Sequence, residues 1–87
     1  MTTRDAMEGF LQQSEDTIRF AKKQLQGVQK QGHGNDQEFH SAVEQVEQQV
    51  QQLNALALSS NSDQRQTLDR MRLQLQQLQN DMILEKH

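Results

Sequence analysis

The chain has no cysteine, no proline, and only three aromatic residues, Phe10, Phe20 and Phe39, among its 87. Without cysteine there can be no disulfide, thiolate metal site or cysteine nucleophile. Without proline no residue is obliged to break a helix, so long helices are permitted. Hydrophobic residues make up 32% of the chain, too few for a thick core, and the length suits one small domain spanning residues 1–87. No apolar run approaches the roughly 20 residues that cross a bilayer, and the segment 1–10 lacks the apolar centre of a signal peptide. A soluble cytoplasmic protein without a membrane partner is expected. Positive charge is also in short supply. Nine basic against twelve acidic residues leave a net charge of −3, which argues against a polyanion as the main partner.

What the chain does have is apolar periodicity. Met7, Leu11, Ser14, Ile18, Ala21, Leu25 and Val28 follow one another at alternating spacings of four and three. Phe39, Val43, Val46, Val50, Leu53 and Ala57 form a second stripe, and Leu68, Met71, Leu75, Leu78 and Met82 a third. A stripe of this period is a helix that buries one narrow seam against other helices. Between the apolar positions lie many of the 18 glutamines, good helix formers that fill exposed faces without adding charge. Val46, Val50, Leu75 and Leu78 are expected at the centre of the core.

Two polar breaks divide the stripes. Thr2 or Thr3 is positioned to cap the first helix, with Asp5 favoured at the positive end of its dipole. Gly32 can adopt the left-handed conformation that closes a helix, Gly32-His33-Gly34 reads as a joint, and Asn35 with Glu38 reads as a capping box. The second break, Ser59-Ser60-Asn61-Ser62-Asp63, contains only residues that favour caps and turns, and Asn61 with Gln64 offers another capping pair. A rival reading runs one helix of about 50 residues through this segment with a single stutter, at the cost of placing Asn61 and Gln64 on the seam. The turn yields helices over 3–31, 36–58 and 62–85. The expected fold class is all-α, an antiparallel three-helix bundle with coiled-coil-like packing and a radius of gyration of roughly 12–15 Å.

The residues that might carry chemistry have simpler roles. No two of His33, His40 and His87 have the i, i+4 spacing that brings two imidazoles to one ion. The carboxylates Glu8, Glu15, Asp16, Glu38, Glu44, Glu47 and Asp69 are scattered, and a tight helical seam offers no pocket to raise the pKa of one of them. Ser14 lies on its stripe beside no histidine, and its hydroxyl is expected to bond back to its own helix. Gly32-His33-Gly34 lacks the Lys and Ser/Thr of a phosphate loop. No enzymatic activity, catalytic residue, cofactor, metal or small-molecule substrate is expected.

Two basic clusters remain, Arg19, Lys22 and Lys23 on the first helix and Arg65, Arg70 and Arg72 on the third. The stems of Arg65 and Arg72 are expected to cover the seam while their charges meet Glu or Asp on a neighbouring helix. Weak nucleic-acid binding through these flanks is the alternative function, disfavoured by the acidic balance and the lack of aromatics to stack on bases. More telling are apolar residues off the stripes. Phe10, Ala42 and Leu56 flank their seams and can broaden the core, whereas Phe20, Leu73, Ile83 and Leu84 point away from theirs. Those four are either ordinary exposed residues or a second packing surface for self-association or a partner helix.

Asn35-Asp36-Gln37-Glu38-Phe39, and above all Arg70-Met71-Arg72-Leu73-Gln74-Leu75-Gln76-Gln77-Leu78-Gln79-Asn80 through Met82-Ile83-Leu84, resemble a family of short helical proteins from spore-forming Gram-positive bacteria. The Ser59-Ser60-Asn61 turn before the last helix is similar too, so the resemblance covers nearly the whole chain. That family is a domain of unknown function, so the resemblance implies a helical fold of this length and brings no activity, ligand or catalytic residue. The functional expectation from the residues is a non-enzymatic helical protein-interaction or structural module.

Overall fold

Local capping explains where the helices begin. In the computed structural model, which describes residues 3–31 and 36–85, Thr3 Oγ1 accepts a hydrogen bond from the Ala6 N–H at 3.1 Å, and the Thr3 carbonyl accepts from the Met7 N–H at 3.0 Å. Thr3 therefore caps α1, Arg4–Gln31, and Asp5 lies in its first turn. Helix α2 spans Asp36–Leu58 and α3 spans Ser62–Glu85. The glycine joint and the Asn35 cap fall outside the described residues.

The second break is a turn, and side chains close it from both sides. The Asn61 side chain accepts from the Gln64 N–H at 2.8 Å, while the Gln64 side chain accepts from the Asn61 N–H at 3.0 Å. This reciprocal pair satisfies donors that the start of α3 would otherwise leave open. At the end of α2, the Ser60 hydroxyl donates to the Leu56 carbonyl at 2.6 Å, and Arg65 Nε donates to the Ala57 carbonyl at 3.2 Å. A single continuous helix through this segment is ruled out.

The three helices pack pairwise against one another as an antiparallel bundle. Arg72 on α3 reaches Asn54 on α2, while Arg65, one heptad earlier, meets Ala57 beyond it. One helix therefore ascends as the other descends. The radius of gyration is 14.0 Å, and the longest extent, 44 Å, is close to the roughly 42 Å of a 28-residue helix.

Burial follows the expected seam on α3 and departs from it on α2. All five stripe residues of α3 are buried. On α2 the buried row is Phe39, Ala42, Val46, Gln49 and Leu53, continuing to Ser60 beyond the helix end. Val43, Val50 and Ala57, expected on the seam, are half-buried and pack against the core from its edge. The helix is rotated by about half a residue step from the expected position, and Val50 is peripheral where it was expected to be central. Val46, Leu75 and Leu78 are central as expected.

The displaced row carries a buried polar pair. Ser14 Oγ on α1 donates to Gln49 Oε1 on α2 at 2.8 Å, with both residues buried. Ser14 was expected to bond back to its own helix; it bonds across the bundle instead. The α1 face is correspondingly broad. Phe10 and Thr17 are buried along with Met7, Ile18, Ala21 and Leu25. Phe20, expected to stand away from the core, is partly buried and packs against it.

Two stability outcomes follow. Leu75→Ala will lower unfolding free energy in urea by about 2–5 kcal/mol. A loss below about 1 kcal/mol would mean that Leu75 does not fill the seam. Ser14→Ala will cost about 1–3 kcal/mol by leaving the Gln49 oxygen unsatisfied. The Ser14→Ala, Gln49→Leu double variant will be less destabilised than the two single effects added together, and simple additivity in this double-mutant cycle would show that the hydrogen bond is not coupled.

Candidate interaction surface

The outward face of α3 follows from its narrow seam. Successive residues of a helix turn by about 100°, so Leu73 falls on the side opposite Leu68, Met71, Leu75 and Leu78. Leu84, eleven residues or three turns later, returns to the same line. Both are 68% exposed, and Ile83 beside them is 46% exposed. These three of the four expected surface residues share one region of α3; Phe20, on α1, does not extend it. One further exposed leucine went unrecognised in the sequence: Leu58, at the last position of α2, is 85% exposed. It lies one residue beyond the half-buried Ala57, and nothing in the heptad pattern distinguishes the final residue of a helix from those before it.

Two shallow grooves run beside these features. Leu73, Gln77 and Asp81 of α3, with Leu78 at its base, form one wall of the first, and Ile18 and Lys22 of α1 form the other. The second lies between α1 and α2, bounded by Ala6, Gly9, Phe10 and Gln13 on one side and Gln52 and Leu56 on the other. Its rim carries no charge. Gly9 opens it further, since a Cβ built there meets no atom within 4 Å.

The arginines do not take the roles expected of them. Arg72 donates to the Asn54 side chain at 2.9 Å and pairs with Asp69 of its own helix at 3.5 Å. Arg65 bonds to the Ala57 carbonyl. Neither meets an acidic residue of a neighbouring helix. The polar ends of α2, an amide and a terminal carbonyl, receive them instead, as expected for cations at the negative end of a helix dipole. Arg72 Nε is shielded from solvent and has no hydrogen-bond partner. Arg19 pairs with Asp16 and Arg4 with Glu8, both on the exposed surface of α1, where such pairs contribute little.

The seven carboxylates considered above are all exposed, as is His40; His33 and His87 fall outside the described residues. Among the described residues, no group of three or more His, Asp or Glu side chains is placed to hold a metal ion. No described helix is long and apolar enough to cross a membrane. The Ser14 hydroxyl is held by Gln49 across the bundle.

Residues 1–84 match a family described as a protein of unknown function, DUF2524. The chain belongs to this family. A relative within reach of the same pattern is the uncharacterized protein YtzC of Bacillus subtilis (strain 168), 51% identical over 85 residues that cover 98% of this chain and 94% of the relative. No solved structure matches the chain. The spore-forming source of the relative and the match across almost the full length agree with the resemblance read from Asn35–Phe39 and Arg70–Leu84. For a member of this family, the surface geometry is therefore the main guide to function.

Gly9 offers a direct measurement on that surface. An interior helical glycine costs about 1 kcal/mol relative to alanine, and here nothing in the bundle needs the space. Gly9→Ala will raise the urea midpoint by an amount corresponding to a gain of about 0.5–1 kcal/mol. A lower midpoint would show that the open groove depends on the glycine backbone.

Proposed function

We propose that the chain acts as one helical domain in the bacterial cytoplasm, a non-enzymatic module that docks a protein helix against the outer face of α3. The observation that carries this reading is the alignment of Leu73 and Leu84 on the side of α3 opposite its seam, both 68% exposed. A helix apolar on two opposite sides matches the demands of packing on two sides. Recognition of an amphipathic helix through apolar residues at helical spacing is a common mode of protein binding. Three further features support a non-catalytic role. The carboxylates are exposed, the buried serine bonds to glutamine, and uncharged glutamine is the commonest residue of the chain.

Nucleic-acid binding gains no support from the arginines. Two of the three on α3 direct guanidinium groups to α2, which leaves Arg70 as the outward cation of that helix. A polyanion site requires several such charges facing one way.

Affinity capture from the native bacterial cytoplasm tests this reading. The wild-type domain will retain a protein partner that a Leu73→Glu, Leu84→Glu variant loses, while the far-ultraviolet circular dichroism of the two remains the same. Equal capture by both would remove α3 from the reading. In parallel, a salt titration with RNA and DNA will show no binding at low salt; steep salt-dependent binding would make the nucleic-acid reading the leading one.

A further inference from the structure

We draw no further inference here: the strongest candidate, the uncharged surface groove between α1 and α2 where Gly9 and Phe10 face Ala55 and Leu56, is an open apolar face, and nothing in the structure shows what covers it.

Discussion

The hydrogen bond between Ser14 and Gln49 sets the relation of α1 to α2. Hydrophobic contact is forgiving, since helices can slide or rotate by a fraction of a turn and exchange one aliphatic neighbour for another. A buried amide is not forgiving, because every position but one leaves its oxygen without a donor. Gln49 shares the inner row with Ala42, while Val43 and Val50 lie at its edge. The small serine opposite makes room for the longer glutamine. These two side chains form a directional contact between helices in a core built mainly of apolar residues.

The remaining asymmetry of the bundle lies in how much of each helix is committed inward. Helix α1 buries a broad face that includes Phe10, Thr17 and Ile18, while α3 buries a single narrow line of five residues. Chain length limits the apolar surface available, and the inward side of α3 is satisfied by that line. Leu73, Ile83 and Leu84 are surplus to the bundle. Their placement on one helix, rather than dispersed over all three, is what makes the outer face of α3 different from the rest of the surface.

Much of this architecture was legible in the residues, and the reasons differ by element. The third stripe was readable because its five positions are all large and apolar, and from Leu68 to Leu78 no apolar residue stands directly beside one of them. The turn at Ser59–Asn61 was readable because capping depends on local chemistry, which Asn61 and Gln64 declare by themselves. The inner row of α2 was obscured because alanine and glutamine occupy positions 42 and 49 with a valine beside each. Only knowledge that Ser14 stands opposite would have moved Gln49 inside, and that is information about another helix. The same limit applies to Arg65 and Arg72, whose flank was recognised but whose acceptors, an amide and a helix-end carbonyl, depend on the α2–α3 register. On the surface, periodicity identified Leu73 and Leu84 as outward; it said nothing of Leu58, and it misjudged Phe20, which the bundle reaches from the side.

The tightly capped joint between α2 and α3 also bears on the order in which the chain folds. Ser60 and Arg65 occupy carbonyls at the end of α2 while Asn61 and Gln64 close the start of α3, all within a span of ten residues, 56–65. Contacts between residues so near in sequence form with little loss of chain entropy. Closing this joint therefore costs the chain little entropy, and it can form before any contact between distant parts of the helices is made.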